Sequence, residues 1–331
     1  MLRWTGVPYL PEIIPPGIQV SSVISPHPGI ESAGDRLLAV DDDMPWAHSG
    51  KGRAVRSDEH FHPGDPGSLA PLLDHATEFA REAGRVTLSY FGSVLSADAK
   101  GDGSPVTRAD REAEAVLREA IQGRFPNHAI LGEEYGEEAG TEPIRWILDP
   151  IDGTRSFLHG VPLYAVLIGV EMGGEPVLGV AHFPALGETI AAGRGLGCRW
   201  WRKAGGNPVS AAVSDEPALS RSVALTTDPE GILVSSVGPG WRSLADRAGF
   251  VRGWGDAYGH LLVATGRAEV MVDPILSPWD AAPFLPILEE AGGRFTDLDG
   301  RSTIHGGSGI STNGRLHAQV LELLSERRDQ S

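Results

Sequence analysis

From Ser68 onward the apolar positions fall into regular periods. Leu69, Leu72, Leu73, Ala76, Phe79, Ala80 and Ala83 recur at helical spacing, which predicts a helix N-capped by Ser68 with Pro71 in its first turn. A second helix is predicted after Thr107, whose hydroxyl forms a capping pair with Asp110. Its apolar stripe is Ala113, Val116, Leu117, Ala120 and Ile121. Strand-like runs follow at residues 145–148, 163–171, 177–183 and 188–192, with Gly173-Gly174 as a hairpin signal between the second and third. The last third alternates. It reads as a helix over 257–265, a strand over 269–273, a helix over 278–291 ended by Gly292-Gly293, a strand over 294–296 and a helix over 314–325. Mixed helices and strands around a hairpin-rich middle place the chain in the α/β (α+β) class.

Residues 1–67 show neither period. They are rich in Pro, Gly, Ser, Asp and His, as in His62-Pro63-Gly64-Asp65-Pro66-Gly67, and read as an N-terminal extension that is disordered or not native. Regular patterning occupies residues 68–326 and leaves 327–331 as a C-terminal tail.

Composition narrows the function classes. Apolar residues make up 41% and charged residues 22% of the 331, as in an ordinary globular protein long enough for a sizeable core. Lys plus Arg number 28 against 44 Asp plus Glu, a net charge of -16, which argues against nucleic-acid binding. No run approaches the roughly 18 apolar residues of a membrane helix. The prolines at 8, 11, 15 and 16 interrupt any signal-peptide pattern, so the expectation is a cytoplasmic protein. A single cysteine, Cys198, excludes an internal disulfide framework, and no cluster of Cys or His competes for zinc.

The chemistry is carried by carboxylates at the ends of elements. Gly132-Glu133-Glu134 follows the apolar run Ala129-Ile130-Leu131, and Asp149-Pro150-Ile151-Asp152-Gly153-Thr154 follows the strand Trp146-Ile147-Leu148. Asp280 opens a helix behind Trp279, and Asp110 lies early in another. A carboxylate directly after a buried strand is costly unless it is paired or ligating. Two of them three residues apart, with Pro and Gly shaping the turn, can converge on a hard divalent cation, which takes oxygen ligands, substrate phosphate and water. A pair of such ions would activate a water and neutralise a phosphoryl group.

Taken together, these motifs, with Glu290-Ala-Gly-Gly293 and the early Lys100…Thr107-x-x-Asp110 segment, resemble the inositol-monophosphatase-like family of metal-dependent phosphatases. The resemblance runs from about Ser68 to Glu326 and implies a layered αβαβα sandwich that hydrolyses phosphate monoesters with Mg²⁺, two or three ions per site. Carried over residue by residue, it implies that Glu133, Asp149 and the Ile151 carbonyl hold one ion, and Asp149, Asp152 and Asp280 another. Thr154, supported by Asp110, would position the attacking water together with Glu133. The amides of Gly153 and Thr154 would take phosphate oxygens. A small-molecule ester is the implied partner, without nucleic acid or membrane, and a homodimer is compatible with it.

Within the family, Arg155-Ser156-Phe157 stands where inositol-specific members usually carry Thr-Asn-Phe. The segments Trp254-Gly-Asp-Ala-Tyr-Gly259 and Glu269-Val-Met-Val-Asp273 resemble those of bacterial histidinol-phosphate phosphatases. Histidinol phosphate carries an ammonium and an imidazole, which extra carboxylates such as Asp256 and Asp273 would suit. Arg155 could face phosphate, substrate or a neighbouring subunit. Histidinol-phosphatase in histidine biosynthesis is therefore the expected activity. An inositol-1-phosphatase or broad sugar-phosphate phosphatase is the alternative, and a non-catalytic phosphate-binding module the reading from another class. His159, His182, His260 and His317 are expected to be structural, since none shows ligand spacing.

Overall fold

The computed structural model describes residues 66–93, 97–99 and 105–325. Lys100, the tail 327–331 and all but the last two residues of the extension 1–67 lie outside them.

In chain order, α1 (Pro66–Tyr90) and the short pair β1 (Asp98–Ala99) and β2 (Pro105–Val106) lead to α2 (Arg108–Arg124). There follow β3 (Ala129–Gly132), β4 (Gly136–Glu138), β5 (Ile144–Asp152), α3 (Thr154–Leu158), β6 (Ala165–Met172) and β7 (Glu175–Phe183). Then come β8 (Glu188–Gly193), β9 (Gly197–Trp201), β10 (Val209–Ser210), β11 (Val223–Leu225), α4 (Gly231–Val234), α5 (Gly238–Arg247) and β12 (Phe250–Arg252). The chain continues through α6 (Ala257–Ala264), β13 (Val270–Asp273), α7 (Pro278–Ala281), α8 (Phe284–Glu290), β14 (Arg294–Thr296), β15 (Gly309–Thr312) and α9 (His317–Ser325).

An eight-stranded sheet runs in the order β10-β9-β8-β7-β6-β5-β3-β4, and a five-stranded sheet in the order β12-β11-β13-β15-β14. In the larger sheet only β3 and β5 pair in parallel, and the meander from β5 to β10 is antiparallel. Alternation along its central strands explains the layering. Trp146, Leu148, Val166 and Ile168 point to the face that buries Leu69, Leu73, Ala76 and Phe79 of α1 and Leu117 of α2. Their neighbours Ile147, Ala165 and Leu167 point the other way, into a second core with Leu261 of α6, Phe284 and Ile287 of α8, and Phe295 of the smaller sheet. That sheet's far face, with Ala224, Val270, Val272 and Ile310, buries Trp241 and Leu244 of α5 and Val320 and Leu323 of α9. The result is an αβαβα sandwich, as the sequence led us to expect.

Three boundaries differ from the periodicity. The first helix already runs at Pro66, whose fixed φ suits a first helical position, so Ser68 lies inside its first turn. The helix anticipated over 278–291 is two, α7 and α8, separated at Ala282 and Pro283. Pro283 has no N–H to return to the carbonyl one turn back, which breaks the ladder. The last helix starts at His317, because Gly314 takes a left-handed φ of 78°.

Candidate active site

The turn after β5 builds the centre of the site. Asp149 is 2% exposed at the strand end, where its Oδ1 accepts the Ile151 amide at 2.9 Å and folds residues 149–152 into a tight turn. The pairing of β5 with β6 slips between Asp149 and Asp152, so the irregular backbone delivers both acids to one side. Gly153, at φ 80°, then turns the chain into α3. A side chain would be strained at that φ and would crowd the Asp256 carboxylate.

A third acid arrives from α7. The Oδ2 of Asp280 accepts the Ser277 amide at 2.8 Å in a capping box, which fixes the carboxylate at the helix start. Asp149, Asp152 and Asp280 each offer a carboxylate oxygen within 4.8 Å of one another. Glu133 joins them from the turn after β3. Its amide donates to the Leu148 carbonyl at 3.1 Å, one residue before Asp149, and its carboxyl is close enough to help raise the pKa of Asp149.

Electrostatics mark this cluster. Burial first, then the charges of Glu133, Asp152 and Asp280, push the Asp149 carboxyl well above the usual range. Burial, followed by Asp256 and Asp280, does the same for Asp152, while Asp280 is pushed up to about 7, mainly by burial. Acids gathered at low dielectric are tolerated when cations compensate them. The donor set is all oxygen, which suits a hard divalent ion and not zinc.

The structure brings Thr154 and Asp110 together. The Thr154 hydroxyl lies 3.1 Å from the Ile151 carbonyl and 3.5 Å from Asp110 Oδ1. Asp110 is 1% exposed, and its Oδ2 is held by the Thr107 amide at 2.8 Å and the Thr107 hydroxyl at 2.6 Å. The anticipated capping pair is therefore a complete capping box, and the same acid reaches the site with its other oxygen.

The residues assigned to substrate divide. Asp256 is the one non-glycine with positive φ, 52°, among the described residues. It occupies the N-cap position of α6 without a capping bond, and its Oδ2 points instead to Ser156 Oγ at 3.4 Å, beside Gly153. Burial above all, with the Asp273 charge next, pushes its carboxyl up to about 6. Such backbone strain persists only where the surroundings impose it, and it clusters at functional sites. Asp273 is turned inward. Its Oδ1 accepts the Thr227 amide at 3.0 Å, and its Oδ2 faces His260 Nε2 at 3.3 Å, with both side chains buried. Arg155 is exposed on α3.

His260 is structural in part, through Ser311 at 2.7 Å, but its contact with Asp273 had no signature in the spacing. His182 and His317 are buried and pushed down to about 4, mainly by burial, and bond to Thr189 and to Thr296 and Thr312. Cys198 is buried, and its thiol is pushed up to about 12, again chiefly by burial. Sequence reasoning also missed Glu114, a fully buried acid on α2. Its one available signal was its place a helical turn beyond Asp110, on the same face.

Comparison with known proteins gives the family of the chain and its relatives. The profile of the inositol monophosphatase family matches residues 68–329. The histidinol-phosphatase of Chlorobaculum parvum is 48% identical over 255 residues, covering 76% of this chain and 96% of that protein. The histidinol-phosphatase of Mycobacterium tuberculosis is 37% identical over 251 residues, with 76% and 96% covered. The crystal structure of the extragenic suppressor protein suhB from Bartonella henselae superposes with a TM-score of 0.71 at 28% identity, covering 78% of this chain and all of that one.

Proposed function

Because the chain belongs to the inositol monophosphatase family, and is thus a metal-dependent phosphatase of small phosphate esters, we propose that it is a Mg²⁺-dependent histidinol-phosphatase. The reaction is hydrolysis of L-histidinol phosphate to L-histidinol and phosphate. The observation that carries the site assignment is the convergence of Asp149, Asp152 and Asp280 from two separate elements. Identity of 48% with one histidinol-phosphatase, together with the strained acid Asp256 beside the site, supports the substrate.

In this reading Glu133, Asp149 and the Ile151 carbonyl hold one Mg²⁺, and Asp149, Asp152 and Asp280 hold a second. When bound, these ions supply Lewis-acid stabilisation of the phosphoryl charge and lower the pKa of water. The chain's own groups do the rest. Thr154 Oγ1 donates its one proton to the Ile151 carbonyl at 3.1 Å or to Asp110 Oδ1 at 3.5 Å, and keeps its lone pairs for a proton of the attacking water. The Glu133 carboxylate helps to position the same water and accepts the proton that it gives up. The Gly153 and Thr154 amides, at the start of α3, receive phosphate oxygens. Asp256 faces the cationic end of the substrate, where a charge-assisted contact is strongest. Asp273 supports it from behind, through Thr227, whose hydroxyl accepts the Asp256 amide at 2.8 Å.

The test is phosphate release from histidinol phosphate, inositol 1-phosphate and fructose 1,6-bisphosphate, with Mg²⁺ and with EDTA. A preference for histidinol phosphate supports the reading. A preference for inositol 1-phosphate would replace the substrate and leave the phosphatase in place. No helix among the described residues is long and apolar enough to cross a membrane.

A further inference from the structure

Glu114 is a carboxylate with no exposed surface, four residues after Asp110 on α2, and nothing in the catalytic scheme uses it. A buried charge of this kind is expensive and requires partners. Its partners are specific. Oε2 accepts the Glu134 amide at 2.7 Å, and Oε1 accepts the Tyr135 amide at 3.2 Å and the Arg118 Nε at 2.8 Å. Arg118 also donates to the Gly136 carbonyl, and its guanidinium lies over the Tyr135 ring, 5.9 Å from the centroid. One carboxylate thus gathers consecutive amides of the turn that begins at Glu133.

Gly132 completes the arrangement. A methyl group built there would overlap the Glu114 carboxyl, so the glycine of Gly132-Glu133-Glu134 makes room for the acid beneath it. The Glu133 amide is tied on the other side to Leu148. The backbone on both sides of Glu133 is therefore fixed, on one side by β5 and on the other by Glu114. Rotation of this turn would carry the Glu133 carboxyl away from Asp149.

We infer that Glu114 is a positioning residue that orients Glu133 toward the metal cluster through the Glu134 and Tyr135 amides. On one face of α2, Asp110 steadies Thr154 and Glu114 steadies Glu133, one helical turn apart. The inference rests on Glu133 being a metal ligand.

The test measures Mg²⁺ binding to the protein alone by titration calorimetry, beside the Mg²⁺ concentration for half-maximal activity. The variants are Glu114→Gln, Arg118→Gln and Glu133→Gln. Outer groups that orient metal ligands typically contribute 10–100-fold in affinity. Glu114→Gln should therefore weaken Mg²⁺ binding about tenfold. Arg118→Gln, which removes one of the three donors to the Glu114 carboxylate, should weaken it by a smaller factor and serves if Glu114→Gln does not fold. Unchanged Mg²⁺ affinity in the folded Glu114→Gln variant, or in Arg118→Gln should that variant not fold, with affinity lost in Glu133→Gln, would overturn the inference and leave the site reading intact. Wild-type affinity in Glu133→Gln would instead overturn the ligand assignment on which it rests. A lowered melting temperature of the metal-free variant without any change in Mg²⁺ affinity would reduce Glu114 to a structural role and likewise overturn it.

Discussion

The backbone amide of Glu133 donates to the carbonyl of Leu148 at 3.1 Å, so the acid after β3 is bonded to the residue immediately before Asp149 on β5. The parallel pairing of these two strands sets that register, with Gly132 opposite Leu148. Two acids separated by sequence are in this way held side by side by main-chain hydrogen bonds. The main chain thereby fixes the points from which both side chains start. This is the preorganisation that a site of concentrated like charge requires.

Asp149→Asn should abolish turnover while the folded structure survives. Asp149 stands between Glu133 and Asp280, and losing its charge removes stabilisation worth several kcal/mol in the transition state, roughly a thousandfold or more in kcat. Its Oδ1 contact with the Ile151 amide can persist in Asn. Circular dichroism and phosphate release check both halves. Activity near wild type would contradict the assignment.

Asp280→Asn should stabilise the metal-free protein at pH 8. Asp280 is pushed up to about 7, above its unfolded value near 3.8, so the fold favours its protonated form. Its contribution is complete below the unfolded value and is lost as pH rises through about 7. Asn removes that loss and keeps the capping oxygen for Ser277. The melting temperature in EDTA should exceed wild type at pH 8 by roughly 2–4 °C per kcal/mol relieved, and the difference should shrink toward pH 5. The stabilisation by added Mg²⁺ should fall in the same variant. A pH-independent difference would contradict the account.

Asp256→Asn should weaken histidinol phosphate selectively. A charge-assisted hydrogen bond contributes roughly 1.5–3 kcal/mol, so kcat/KM should fall on the order of ten- to a hundredfold, with p-nitrophenyl phosphate much less affected. Asp273→Asn should behave differently, lowering both substrates together and reducing stability, because its carboxylate is engaged by Thr227 and His260. Equal losses in the Asp256 variant would assign that residue to the fold.

Removal of residues 1–60 should leave activity and melting temperature nearly unchanged. The family match begins at residue 68 and α1 at Pro66, so the layers described above are retained. A large loss in either quantity would show that the extension takes part in the enzyme.

Much of this architecture was legible before any coordinates. Leu69 to Ala83 and Ala113 to Ile121 carry the helical period of α1 and α2 because each helix buries one stripe against a sheet. The runs around Trp146, Leu167 and Val180 read as strands because both faces are covered. The acids of the site could be picked out for the converse reason, since Asp149 and Asp152 interrupt apolar stretches where solvation cannot explain them. What stayed hidden depends on distance in space. The contact of His260 with Asp273 and that of Ser156 with Asp256 join residues whose relation no local pattern encodes. Glu114 is hidden for another reason. It sits at an ordinary helical spacing from Arg118, where an acid usually belongs to a solvated face. The breaks at Ala282 and Pro283 went unseen because apolar residues continue across them.

Phosphate release from L-histidinol phosphate and from inositol 1-phosphate, each with saturating Mg²⁺ and with EDTA, tests the central claim most directly. The account predicts a kcat/KM for histidinol phosphate that clearly exceeds that for inositol 1-phosphate, silence in EDTA, and recovery when Mg²⁺ is restored. Higher kcat/KM on inositol 1-phosphate would contradict the substrate assignment, and undiminished turnover in EDTA would contradict the metal site itself.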